Sequence, residues 1–403
     1  MPSSSGRIAS LDVLRGVAVL AMAVANVPSF ATVYAARANP TAYGTLDGAD
    51  WWAWLASYVL VDGRFTAIFG MTFGAGIAVL AERYTRAGLP VARIHYRRMA
   101  GLVVLGLLHA YLLWYGDFLV SLALCGAVVF VFRELPPRRM LVLGVLIMAV
   151  ATLIAVEAAR SMPAWSAEQE ARIRVFWAPP ADVLQREIDA YRGGWRAQMS
   201  QRVPAALARE TVGFVTRSFW QMTGLMLIGM ALFRLGVLSA LRSSAFYAAV
   251  ALGGFGLGVP LILFGVYENF ASGWGLRRAM LIDGTINYWG GLFVGAAWVA
   301  VVMLACRHGA RPGPVAAVGR LSLSNYLLQS LLFTTVFYGH GLGLFAQVGR
   351  AGQLMTALGV AIVGLLASMC WTRYFSVGPI EWVWRSVTLG RRIPVRAPVD
   401  VPS

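Results

Sequence analysis

Apolar residues run in blocks of about twenty along almost the whole chain, and short polar segments separate them. A helix of that length crosses the ~30 Å hydrocarbon layer of a bilayer. The pattern predicts an all-α polytopic membrane protein with about ten spans, at roughly 16–36, 51–80, 99–115, 118–132, 140–159, 212–233, 245–267, 285–306, 321–337 and 354–371. The 51–80 block is long for one span and short for two. Asp62-Gly63-Arg64 interrupts it. It reads either as one span or as a re-entrant piece followed by a span, and irregular backbone at that depth must lie in protein or beside water.

Arginines set the expected orientation. With the N-terminus in the cytoplasm, twenty of the 34 basic residues fall in cytoplasmic segments and five in short outer ones. Of the other nine, eight lie in one long polar segment, 160–211, where the positive-inside rule is weaker, and Arg217 follows it. Both termini are therefore expected to be cytoplasmic. The long segment carries Trp165, Phe176, Trp177, Tyr191 and Trp195, a density of aromatics that fits helices lying in the membrane interface. A lid over an outward-facing site is the other reading. Residues 1–6 and 393–403 look like disordered tails around a single membrane domain, 7–392. The length of the first apolar block, with Asp12 and Arg15 before it, argues against a cleaved signal peptide.

Composition excludes several classes. The chain is 59% hydrophobic and 13% charged, which fits neither an ordinary soluble domain nor a disordered chain. Its net charge is +16, yet the arginines sit between apolar blocks, so topology accounts for them and nucleic acid is not an expected partner. No lysine occurs, which removes Schiff-base and P-loop lysine chemistry. Cys125, Cys306 and Cys370 are far apart and show no metal-ligand spacing, so neither a metal nor a disulfide is expected.

Ionisable and amide side chains inside a bilayer each need a reason. Asp12 and Arg15 are three apart and share a helix face, as a local ion pair or as a guanidinium presented to a phosphate. Asn26 lies mid-span before Pro28. Asp62 is expected to pair with Arg64 or to stand as a carboxylate in a polar cavity. His109 is the one histidine in the interior of a span and a candidate proton acceptor. Asp117 is eight residues on, ~12 Å away along a straight helix, so the two form a dyad only if the chain folds back at Gly116. Ser322, Asn325 and Gln329, with Ser330 beside them, form a polar stripe that serves as helix glue or as a cavity wall.

Five segments in order carry a resemblance: Asp12-Val-Leu-Arg15-Gly16 with Asn26; Asp62-Gly63-Arg64-Phe65 with Gly70-Met-Thr-Phe-Gly74; Arg97-Arg98 with His109 and Gly116-Asp117; Gly319-Arg320 with Ser322 to Ser330; and Gly378-Pro-Ile-Glu381-Trp. The order resembles the YeiB-like family of bacterial multi-pass membrane proteins over nearly the whole chain. More distantly it is similar to the transmembrane acyltransferase superfamily that includes heparan-α-glucosaminide N-acetyltransferase. The resemblance implies a bacterial inner-membrane location and acyl transfer from cytoplasmic acyl-CoA to an extracytoplasmic hydroxyl or amine on a small molecule, glycan or lipid-linked product. The heparan enzyme carries its histidine just outside the first span, whereas this chain has none between Asn26 and Asp62.

On these grounds Arg15, Arg97, Arg98 and Arg320 are the expected acyl-CoA phosphate ligands. His109 is the expected base, with Asp117 or Asp62 orienting it. Asn26 or Gln329 would donate to the oxyanion, and Ser322 and Asn325 would line the polar cavity. A second copy of the chain is the expected oligomeric partner. A small-solute transporter using the same polar residues, or a non-catalytic scaffold, are the other readings.

Overall fold

The computed structural model describes residues 8–309 and 313–395. Arg7, most of both expected tails and Arg311 lie outside the described residues. Among those described, every regular element is helical. The α-helices are α1 (Ala9–Ala31), α2 (Ala35–Ala38), α3 (Gly48–Leu60), α4 (Arg64–Arg86), α5 (Val91–Leu112), α6 (Leu119–Val129), α7 (Pro137–Ser161), α8 (Ala167–Trp177), α9 (Ala181–Arg192) and α10 (Trp195–Ala208). Then follow α11 (Phe219–Arg234), α12 (Ser244–Ala271), α13 (Leu276–Gly284), α14 (Ile286–Arg307), α15 (Gly313–Arg320), α16 (Ser322–Phe337), α17 (Arg350–Tyr374) and α18 (Pro379–Leu389).

Six helical stretches are long and apolar enough to cross a membrane: Ala9–Ala31, Gly48–Arg86, Pro137–Ala164, Ser244–Ala271, Leu276–Arg307 and Arg350–Tyr374. Thus the chain is a membrane protein, and the sequence expectation of about ten spans is met in part. The other four blocks correspond to helices that fall short on length or polarity. Helix α5 opens with arginines and a histidine, α6 has 11 residues, and α11 and α16 have 16 each. Apolar residues outnumber what the interior can hold, and leucines such as Leu146, Leu252 and Leu366 face outward, as lipid-facing positions do.

The break expected near Asp62 exists. Helix α3 stops at Leu60, and Gly63 adopts a left-handed backbone (φ 74°) before α4 begins. Helix α1 is central. Its Gly16 has no side chain because the Val315 carbonyl of α15 lies where a Cβ would be. Its far end meets the end of α5, where the Trp114 indole approaches the Ser29 carbonyl (3.4 Å) and stacks on Phe30.

The long polar segment is folded as α8, α9 and α10, and ten residues of wider π-helical winding (Arg209–Ser218) lead into α11. It lies over the end of α5. Trp195 Nε1 and Arg202 Nη1 both donate to the Leu112 carbonyl (2.9 and 2.8 Å), and Arg209 Nε donates to the Asp117 carbonyl (2.8 Å). Those bonds satisfy the carbonyl that the end of α5 leaves open at Leu112 and one in the turn that follows it. Tyr191 is buried against Tyr338 and Phe345. Residues 393–395 also have partners, since Trp382 Nε1 donates to the Ile393 carbonyl (2.8 Å) and Ser376 N to that of Val395 (3.0 Å).

Candidate functional site

The chain does fold back after α5. Leu113 and Trp114 close the helix with bonds to the His109 carbonyl, and α6 begins at Leu119. The turn brings Asp117 onto His109, with Nδ1 to Oδ1 at 2.7 Å and both side chains buried. A glycine makes the approach feasible. A Cβ on Gly106 would stand 2.7 Å from Val120 N and 3.0 Å from Asp117 Oδ2, so no other residue lets the turn lie this close to α5. The second carboxylate oxygen accepts from Val120 N (3.0 Å) in the first turn of α6, where the helix end favours negative charge. The straight-helix separation of His109 and Asp117 is therefore replaced by direct contact.

The other imidazole nitrogen meets a residue that the sequence reading placed only beside the polar stripe. Ser330 Oγ of α16 lies 2.9 Å from His109 Nε2. Asp117 as a carboxylate can only accept, so Nδ1 carries the proton and Nε2 is free to accept from the serine hydroxyl. Carboxylate, imidazole and hydroxyl are thus arranged in one buried line. Ser330 was discoverable as the third member of a spacing of four, Ser322–Tyr326–Ser330, on the face next to the stripe that was singled out. The Tyr326 ring stands 5.0 Å from that of His109, and its buried hydroxyl forms no hydrogen bond of ordinary geometry.

The remaining expected residues divide. Gln329 Nε2 donates to the Val19 carbonyl (2.9 Å), and Asn325 Nδ2 donates to Leu321 O and to Ser368 Oγ (3.0 and 2.8 Å). Both join α16 to its neighbours. Asn325 also lines a cavity, whereas Ser322 is the half-buried first residue of α16. Asn26 is half-buried and enters no hydrogen bond with the array. Asp62 is not brought to His109, and its carboxylate is held by Arg37 (3.1 Å), not by Arg64 as its position suggested. Arg64 instead donates to the main-chain oxygen of Asp62. The turn at Gly63 aims the two side chains apart, which neighbouring positions in a sequence do not reveal.

Arg15 pairs with Asp12 at 3.2 Å, as expected for positions three apart. Arg98 lies over the Trp384 ring (4.4 Å) and is close enough to Arg15 and Arg385 for their charges to repel. Arg97 is exposed, and Arg320 ends α15 half-buried. Glu381 of α18, in the segment Gly378 to Trp382, is buried and caps α16. Its Oε1 accepts from Leu323 N and Ser324 N (2.8 and 3.1 Å), and its Oε2 accepts from Ser324 Oγ.

Beside the array runs a cavity of about 530 Å³, open to the side of the bundle. Its walls come from α5, α16, α17 and α18, and they are apolar apart from His109, Ser324, Asn325 and Ser368. Among the described residues no cluster of three or more histidine, cysteine, aspartate or glutamate side chains could hold a metal ion.

A second buried polar cluster lies around Arg64. Tyr58 Oη and Asn287 Nδ2 both donate to Asp283 Oδ1 (3.0 and 2.7 Å). Arg64 Nε and Nη2, Asn287 Oδ1 and both amide atoms of Asn269 are buried without hydrogen-bond partners.

Comparison with known proteins decides the family. The uncharacterized protein YeiB of Escherichia coli (strain K12) is 30% identical over 395 residues, covering 95% of this chain and 96% of the relative. The chain belongs to the YeiB-like family. Residues 232–391 match the family described as "Protein of unknown function (DUF418)". The Bacillus subtilis (strain 168) protein YxaH is 26% identical, covering 95% of this chain and 94% of its own. An uncharacterized 39.9 kDa protein from Bacillus acidopullulyticus is 24% identical over 96% of both chains. No solved structure matches. The family match runs from the last residues of α11 through α18 and so includes Ser330 and Glu381, while His109 and Asp117 lie in the part covered by the full-length relatives.

Proposed function

We propose that the protein is a membrane acyltransferase in which His109 is the general base. The Asp117–His109–Ser330 array carries this reading. It presents an imidazole with its tautomer set by a carboxylate and its accepting nitrogen already on a hydroxyl, which is what drawing a proton from an acceptor requires. Ser330 stands in for the acceptor. It lies inside α16, where the backbone N–H groups are spent on the helix, so no oxyanion hole forms at its own position. Its hydroxyl has a second partner, the Tyr326 carbonyl at 3.3 Å, to which it can turn when an acceptor arrives at Nε2. Gln329 is committed to α1, and the Tyr326 hydroxyl stands beside Asp117.

In this reading acyl-CoA approaches from the cytoplasmic end, where Arg15, Arg98 and Arg320 offer guanidinium groups to its phosphates. Ten crossings with both termini inside would put the acceptor on the opposite face. The acceptor is a hydroxyl or amine of a glycan, small molecule or lipid-linked product. The test is transfer of radiolabelled acetyl from acetyl-CoA by the protein in nanodiscs. His109→Ala is expected to lose about 10²–10⁴-fold in rate with CoA binding retained, and Ser330→Ala to lose less than about tenfold. Unchanged turnover in His109→Ala removes the base assignment, and a stable acyl ester on Ser330 removes its role as stand-in.

A further inference from the structure

Beside the break at Gly63 lies a second, smaller cavity, which acyl transfer does not use. It sits between α1, α3 and α17 and measures about 40 Å³. One water needs ~10–15 Å³ of such space, so about three waters or one molecule of about five heavy atoms fits, and a nucleotide, sugar or lipid does not. Arg37 and Arg350 are both in its wall and close enough for their charges to repel. Arg37 holds Asp62 (3.1 Å) and the Ala25 carbonyl (2.9 Å), and Arg350 donates to the Ala36 carbonyl (2.9 Å). A guanidinium has five N–H donors, so each keeps some to spare. Acceptors in the same wall are unmet. Gln353 is buried, its Nε2 is spent on the Val348 carbonyl (2.8 Å), and its Oε1 has no donor. Pro28 has no N–H to give the Val24 carbonyl four residues before it. Asp50 stands behind Arg350 and caps α17 through Ala351 N (2.8 Å), so the start of that helix is already taken.

Asp62 in the wall and Asp50 behind it match the two arginines in number. Spare donors, unmet acceptors and balanced charge in a space of this size fit a molecule that carries both charges. We infer that the cavity binds a small zwitterionic amino acid, of glycine or alanine size. Its carboxylate lies on Arg350 and Arg37 and relieves their repulsion. Its ammonium donates to Gln353 Oε1 and the Val24 carbonyl and faces Asp62. A simple anion would relieve the arginines and leave the acceptors unmet, while water would satisfy Oε1 and leave the repulsion. Arg37 and Asp62 are part-exposed, so the amino acid enters along them. None of these residues belongs to the Asp117–His109–Ser330 array, and the inference stands apart from the acyl-transfer reading.

The test is isothermal titration of the full-length protein in nanodiscs with glycine, alanine, leucine, acetate and methylamine. Glycine and alanine are expected to bind saturably, at least about tenfold more tightly than acetate or methylamine, since each half-molecule leaves one set of groups unpaired. Leucine, with three more carbons than alanine, should be excluded by size. Gln353→Met removes Oε1 at nearly constant volume and should weaken glycine about tenfold. Ser57→Leu fills the cavity from α3 and should abolish binding, and it serves if Gln353→Met does not fold. Acetate binding as tightly as glycine makes this a plain anion site and overturns the inference. Leucine binding as well as alanine, no saturable binding at about 10 mM glycine, or an affinity unmoved in both folded variants overturns it as well.

Discussion

Two buried polar clusters share this bundle, and they differ in how completely they are satisfied. Around His109 each imidazole nitrogen and each carboxylate oxygen of Asp117 has a partner between 2.7 and 3.0 Å. Around Arg64 two guanidinium nitrogens and the Asn287 carbonyl have none. A satisfied cluster is held in one geometry, and it has a tautomer and a direction for proton flow. A cluster with orphaned atoms bears the desolvation of a charge without full compensation. The contrast teaches that burial alone does not fix the geometry of a polar cluster, whereas reciprocal partners do.

Asp117→Asn should break the contrast most strongly. An amide facing Nδ1 can donate, which shifts the ring proton to Nε2 and removes the accepting lone pair. Loss of about 10²–10⁴-fold in transfer is expected with the fold intact by size exclusion. Activity near that of the unaltered protein would mean that the array is only glue. Next is Glu381→Ala, which strips three hydrogen bonds from the start of α16, the helix that carries Ser330. Denaturation in detergent should show a loss of about 2–3 kcal/mol.

Arg64→Met sharpens the other side. It replaces an under-compensated cation by an apolar side chain of similar length, so the melting temperature should hold or rise. A drop of about 3 kcal/mol would show that Arg64 is compensated after all. The smallest effect concerns the segment over the array. Burial raises the Glu187 carboxyl from 4.5 to about 7, against the opposing pull of its hydrogen bond from Tyr34 N. The folded state then binds the proton more tightly than the unfolded chain. The Glu187 contribution to stability is fully present below about pH 4.5 and is lost as pH rises through 7. Melting temperatures should fall by a few degrees at most between pH 5 and pH 8, and Glu187→Gln should flatten that slope.

The membrane character and the break at Gly63 were legible in the sequence because length, hydropathy and a glycine between charges are local signals. His109 was legible as a candidate too, since a lone histidine inside an apolar block is conspicuous. Its partners were not. Asp117 comes into reach through the turn at Trp114 to Phe118 and the bare face of Gly106, and Ser330 lies 221 residues from His109. The Asp62 pairing failed for the same reason, because the ion partner is Arg37 across a bend rather than the adjacent cation. Neighbours in sequence predict contacts along a straight helix, and the surprises here come where a helix stops, at Asp117 and Asp62, or from a helix distant in sequence, at Ser330.

The cap on α16 has a consequence for how the molecule is made. The carboxylate that completes the start of this helix lies 58 residues beyond Leu323. As the chain leaves the ribosome, α16 and α17 are synthesised before Glu381 exists. The serine face of the array therefore reaches its final position only when the last helix docks. A product that terminates early would carry His109 and Asp117 yet lack the cap on the helix that bears Ser330, so completion of the array is deferred until synthesis is nearly complete.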